Sequence, residues 1–229
     1  FKLVAAIPAL EILAHRMSWS LGFCVLVLAY VRRREWLDEL RQPPRRLLLF
    51  LATSTLLAAN WGIYIWAVNA GHVVDASLGY FISPLVMMLT GAFALHEHLR
   101  RTQWAALALA AAGVGWLTWQ TGYLPWIGLA LAATWSLYGV LRKFATIGAI
   151  EGLTLETALL FPVALAYLLW LGAHDQSAFA QASVGARVLL ACAGPITAIP
   201  LMLFVAGARR IPFAHLGILQ YIAPTLQFL

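Results

Sequence analysis

Charge is scarce in this sequence. Asp, Glu, Lys and Arg make up 10% of its 229 residues, where a soluble domain carries about 25%. Hydrophobic residues reach 62%, against roughly 45–50% in globular domains, and the mean hydropathy is +0.83. So few polar side chains cannot cover a water-facing surface, which excludes a soluble globular protein and leaves a polytopic membrane protein. Cysteine is nearly absent as well. Cys24 and Cys192 both lie in apolar stretches, so no structural disulfide is expected. No P-loop and no HExxH pair occur, which argues against ATP hydrolysis and a zinc-protease site. His96-Glu97-His98 lies at a helix end and reads as a cap, so neither metal nor cofactor is expected. There is no signal-peptide pattern, and the start at Phe1 and the stop inside an apolar run at Leu229 read as a fragment.

What the sequence does contain is long apolar runs. A bilayer core of about 30 Å needs about 20 apolar residues per helix. On that ruler eight spans are predicted, at roughly 12–31, 47–68, 73–95, 103–120, 124–141, 152–172, 186–207 and 213–229. They are too long and too uniformly apolar for barrel strands. The net charge of +6 reports orientation, and no nucleic-acid partner need be invoked. Arg32, Arg33, Arg34, Arg41, Arg45 and Arg46 fill the first connection, Arg100 and Arg101 the third, Arg142 and Lys143 the fifth, and Arg209 and Arg210 the seventh. These alternate connections fall on one side, which the positive-inside rule makes cytoplasmic. Trp104, Trp119, Tyr123 and Trp126 near span ends fit an interfacial aromatic belt.

The chain also repeats itself. A constant offset of 140 residues places Ala9-Leu10-Glu11-Ile12-Leu13 on Ala149-Ile150-Glu151-Gly152-Leu153, and Ile82-Ser83-Pro84 on Ile222-Ala223-Pro224. Extending the offset outward predicts ten helices in two sets of five. Five is odd, so the sets must face opposite ways across the membrane, an arrangement common in secondary transporters. The expected architecture is therefore an all-α integral membrane bundle with 5+5 inverted repeats, eight of the ten helices being present. Residues 1–122 would hold the first repeat without its first helix, and 123–229 the second without its last.

Several polar residues resist a purely structural reading. Arg16 lies four to eight residues into its span, about 6–12 Å below the outer surface, where a cation is costly unless it snorkels or faces protein or water. It could snorkel, bond a neighbouring helix, or face a cavity and bind an anionic or carbonyl group. His15 points about 100° away from Arg16 and is a candidate proton relay. Glu156, the repeat counterpart of Arg16, is a candidate coupling carboxylate or a neutral interhelix bond. Pro84 and Pro224 each free a mid-helix carbonyl and read either as packing kinks or as hinges. Tyr80 shares a face with Pro84, as Gln220 and Gln227 do with Pro224. Two glutamines on one lipid-facing stripe would be expensive, so that stripe is expected to face inward. Asn60 and Tyr64 are spaced i, i+4, and Trp135, Tyr138 and Arg142 form another stripe, suited to packing or to a ligand platform. Small residues at four-residue spacing, such as Ala108 and Ala112, suit close helix packing or a homodimer.

These residues carry a resemblance. Glu11-Ile12-Leu13-Ala14-His15-Arg16 followed by Trp19-Ser20 resembles the second helix of the RarD branch of the EamA family, in the drug/metabolite transporter superfamily. The run Ala59-Asn60-Trp61-Gly62-Ile63-Tyr64-Ile65-Trp66-Ala67-Val68-Asn69 is similar to its third helix. Ala76-Ser77-Leu78-Gly79-Tyr80-Phe81-Ile82-Ser83-Pro84-Leu85 and Leu219-Gln220-Tyr221-Ile222-Ala223-Pro224-Thr225-Leu226-Gln227-Phe228-Leu229 resemble that branch too. The resemblance implies ten helices in a 5+5 inverted arrangement around a central substrate cavity in the bacterial inner membrane.

The reading that joins these observations is a secondary transporter, not an enzyme, moving a small metabolite or drug-like solute by alternating access. Arg16, Asn60, Tyr64, Tyr80, Tyr138, Gln220, Tyr221 and Gln227 would line the cavity, with Pro84 and Pro224 as hinges. His15 and Glu156 would be coupling groups, with a proton as candidate coupling ion and lipid as the surroundings. The rivals are an integral-membrane enzyme acting on lipids, which would need acidic or histidine residues clustered at one interface, and a non-transporting accessory protein.

Overall fold

In a computed structural model, residues 7–31 and 44–227 are described, with side chains at all of these but 44–46, 121, 223, 224 and 227. The described residues are helical, without strands. The helices are α1 (Ala9–Val31), α2 (Pro44–Asn69), α3 (Val73–Phe93), α4 (Arg101–Thr121), α5 (Trp126–Phe144) and α6 (Ala149–Ala173). They continue with α7 (Ala178–Gln181), α8 (Val184–Ala208), α9 (Phe213–Gln220) and α10 (Ile222–Gln227). Among the described residues, five helices are long and apolar enough to cross a membrane: α1, α2 from Leu47 to Asn69, α3, α6 and α8. Helix is what such sequences must form in lipid, because each backbone N–H and C=O then finds its partner within the segment.

The helices gather into two compact units. One comprises α1, α2 as far as Ile65, and Phe144–Ala206; the other comprises Trp66–Lys143 and the chain from Gly207 onward. Each unit takes helices from both 1–122 and 123–229.

In the first unit α1 lies along α6. The face of α1 turned inward carries Ala14, Ser20, Cys24 and Leu28, while Leu10, Leu26 and Tyr30 stand exposed. Ile12 and Met17 are buried on α1 as well, and the small and polar side chains among the buried residues let helices approach closely. The approach is closest at Gly194 of α8. A β-carbon there would lie 2.5 Å from the carbonyl carbon of Trp19, and the Ser20 hydroxyl donates to the Gly194 carbonyl at 3.4 Å. In the second unit α3 packs along α9. Gly79 and Gly128 bring α3 and α5 together, a β-carbon on Gly128 falling 3.1 Å from the Gly79 nitrogen.

The 140-residue offset reappears in the coordinates. Three helix starts, Ala9, Pro44 and Val73, match Ala149, Val184 and Phe213 at that offset. The two most extensively packed pairs among the described residues, α1 with α6 and α3 with α9, are counterparts at that offset. Two small cores of the first unit correspond as well: Ile7 and Leu190 share one, and their counterparts Ile147 and Phe50 share the other. Phe81 and Tyr221, again 140 apart, touch each other directly, the Tyr221 hydroxyl donating to the Phe81 carbonyl at 3.2 Å.

Three local expectations need correction. The last span, expected as one helix over 213–229, is broken between Gln220 and Ile222. Pro224 has no N–H to offer the Gln220 carbonyl, and α9 ends at Gln220, where Tyr221 turns through a bond to Ile218. Pro84 imposes the same loss on α3, yet α3 runs through it unbroken, with Ser83 bonded back to the Gly79 carbonyl and Gly217 of α9 packed close to the Pro84 carbonyl. Arg142, expected in a connection, belongs to the last turn of α5 and is fully buried. The stretch after α6, read as a plain connection, contains the short helix α7.

Candidate functional site

Three helices of the first unit converge on Arg16. The side chain leaves α1, its Nε donates to the Thr197 hydroxyl of α8 at 2.8 Å, and its guanidinium carbon lies 4.4 Å from the centre of the Trp61 ring on α2. A cation at this depth would be costly if left among acyl chains. Here one edge has a polar partner and one face rests on an aromatic quadrupole, an interaction worth about 2 kcal/mol when desolvated. Arg16 is half-buried, so it is held without being sealed. Asn60 and Tyr64, also half-buried, flank Trp61 on α2.

Thr197 was not anticipated from the sequence, although a signal was present. It lies between Pro195 and Pro200 inside α8. Those prolines withdraw two N–H donors within six residues and free the carbonyls of Ala191 and Ile196. A polar side chain in a loosened stretch of an otherwise apolar helix is where a polar partner can dock.

The second unit holds most of the other expected residues. Tyr80 on α3 is 42% exposed, while Pro84 one turn later is buried. Gln220 and Tyr221 are half-buried around the break between α9 and α10. Gln227 and Pro224 lie in α10, and their side chains fall outside the described residues. Tyr138, expected to line a cavity, is instead 1% exposed and stacked on Trp135 with ring centres 5.8 Å apart.

The candidate coupling groups lie in the first unit and are buried. His15 packs on Phe179, ring centres 4.3 Å apart, and its Nε2 has no hydrogen-bond partner among the described residues. Glu156 is fully buried in α6, within a stretch from Glu151 to Thr157 that is buried on every side.

Three further carboxylates do structural jobs that spacing did not reveal. Glu11 receives the Ser177 hydroxyl at 3.0 Å and the N–H groups of Ala178 and Phe179 at 3.1 and 2.9 Å, anchoring α7. Glu97 receives the N–H groups of Phe213 and Ala214 at 2.7 and 2.9 Å and Lys143 at 3.2 Å. His96-Glu97-His98 was expected to cap its own helix; instead Glu97 caps the start of α9. Burial pushes the Glu97 carboxyl up; the bonds from Ala214, Phe213 and Lys143 more than reverse that and hold it below its ordinary value. Asp75 accepts the Tyr123 hydroxyl at 2.8 Å, and this bond raises the pKa of Tyr123 above the usual phenol value.

A family model described as the EamA-like transporter family matches residues 2–119. The chain belongs to this family. Among EamA-like relatives, an uncharacterized transporter of Pseudomonas aeruginosa is 46% identical over 229 residues, covering the whole of this chain and 77% of the relative. A protein named RarD from Streptomyces exfoliatus is 50% identical over 220 residues, 96% of this chain and 70% of its own length. A chain of known crystal structure shares 25% identity with a TM-score of 0.68, over 96% of this chain and 77% of that one. The expected EamA membership and RarD likeness therefore hold, as does the all-helical membrane bundle, and the chain is a multi-pass member of a transporter family.

Proposed function

We propose that this protein is a secondary transporter that moves a small metabolite or drug-like solute across the bacterial inner membrane by alternating access. The observation that carries the reading is Arg16. A cation well inside a membrane-spanning helix is fixed by Thr197 and Trp61 rather than extended to the lipid surface, and intramembrane cations are retained where they meet substrates, ions or partners. Asn60 and Tyr64, half-buried on α2 on either side of Trp61, would add neutral hydrogen-bonding groups beside it. The recurring 140-residue offset supports two inverted repeats, the arrangement that gives such transporters two exchangeable access states. The break at Tyr221 next to Pro224 is the hinge of this scheme; Pro84 is its braced counterpart. The Arg-rich connections would face the cytoplasm.

Purified protein in sealed liposomes tests this. Solutes are first screened by thermal stabilisation, and those that stabilise are followed by flux at two pH values. The expected result is saturable flux of a stabilising solute, reduced about tenfold or more in Arg16→Ala, the loss of one hydrogen bond to a charged group being worth about 1.5–3 kcal/mol. Chemical conversion of the solute without flux would instead identify a membrane enzyme, and neither flux nor conversion an accessory protein.

A further inference from the structure

We propose that the second unit carries a separate binding site for a phosphate group, presented either by an anionic lipid headgroup or by a soluble phosphate ester. Where α3 and α5 end and α9 begins, an open pocket of about 440 Å³ is lined by Lys143, Arg209 and Arg210 together with His96, His98 and His215. The one carboxylate in its wall, Glu97, is already engaged by Lys143 and by two N–H groups of α9. The pocket thus holds three fixed positive charges against one negative charge, and its three imidazoles offer further donors.

The arrangement is organised rather than merely basic. Lys143 is held at the wall by Glu97 at 3.2 Å and by the Ile211 carbonyl at 3.1 Å. Arg210 follows the last turn of α8, its N–H bonded to the Gly207 carbonyl, so the basic turn before α9 has a defined backbone. Two arginines and a lysine lining one concavity suit an anion with several acceptor oxygens, which a phosphate provides better than a single-pronged ligand. The surroundings fit an amphiphile. Phe93, three residues before His96, is 69% exposed, and Trp104 is 42% exposed, the two rings meeting edge to face at 6.1 Å. Basic pockets between membrane helices with apolar neighbours are suited to acidic lipid headgroups.

The test is thermal unfolding of the purified chain in neutral detergent, titrated separately with phosphatidylglycerol, phosphatidylcholine, glycerol 3-phosphate and inorganic phosphate. Phosphatidylglycerol or a soluble phosphate probe should stabilise the wild type saturably, and phosphatidylcholine should not. In Arg209→Gln/Arg210→Gln the apparent Kd should weaken about tenfold or more, whereas Arg100→Gln/Arg101→Gln, with the same charge removed outside the pocket, should change it less than about twofold. Should the double variant fail to fold, Arg210→Gln alone should weaken binding about fivefold. Stabilisation by phosphatidylglycerol alone assigns the site to a headgroup, and competition by glycerol 3-phosphate assigns it to a soluble ester. No saturable effect of any phosphate probe, or an equal loss in both double variants, overturns the proposal.

Discussion

At the scale of single residues, Arg16 shows how much of a side chain's role comes from what it leans on. Its position in an apolar run was legible in the sequence, because a cation there is conspicuous. Its partners were not, since Thr197 lies 181 residues away and hydroxyls are common in membrane helices. If the guanidinium's planar fork matters, Arg16→Lys should lower flux nearly as far as Arg16→Ala; if charge alone matters, Lys should restore it. Thr197→Val keeps the shape and removes the acceptor, so flux should fall while the unfolding temperature changes little. Gly194 makes the opposite kind of prediction. A β-carbon there collides with the Trp19 backbone, whereas one at Gly113 meets nothing within 4 Å. Gly194→Ala should therefore destabilise by about 1–3 kcal/mol, a fall of roughly 2–4 °C in Tm per kcal/mol, and Gly113→Ala should not destabilise. Glu97 adds a pH-dependent case. Its folded pKa is depressed, so its stabilisation is complete above the unfolded value of about 4.3 and is lost as pH falls through the folded value. The Tm gap between wild type and Glu97→Gln should be widest near neutrality and close below about pH 4; a gap that widens on acidification would contradict the assigned bonds.

At the scale of elements, helix positions were readable because lipid imposes a length. The expected spans at 12–31, 47–68 and 152–172 fall inside α1, α2 and α6, while 73–95 and 186–207 match α3 and α8 to within two residues. What composition could not show is which face of each helix turns inward, since nearly every position is apolar and burial follows size and polarity instead. It also could not distinguish Pro84 from Pro224. The same missing N–H is tolerated in α3, where Gly217 of α9 packs against the proline's carbonyl, and not between α9 and α10. The short α7 escaped notice because its anchor, Glu11, is remote in sequence. Pro224→Leu restores the missing donor, so amide exchange over 220–224 should slow as α9 and α10 merge, and flux should drop if the break is a hinge. Pro84→Ala should leave both nearly unchanged.

At the scale of the whole molecule, the account rests on two structural repeats that run in opposite directions across the bilayer. The coincident helix starts and the Phe81–Tyr221 contact follow naturally from such an arrangement, and the pattern was visible in the sequence through one constant offset carried by two prolines. Each compact unit draws on both repeats, which no offset in sequence could have announced. The most direct measurement uses two equivalent positions, Ala70 and Arg210, both exposed and 140 residues apart. Single cysteines are placed at each in a Cys24→Ala/Cys192→Ala background and probed in intact cells with a membrane-impermeant thiol reagent. Inverted repeats predict that Ala70→Cys is labelled from outside and Arg210→Cys only after the membrane is opened. Labelling of both from the same side would mean the repeats run parallel, and alternating access between them would no longer account for this fold.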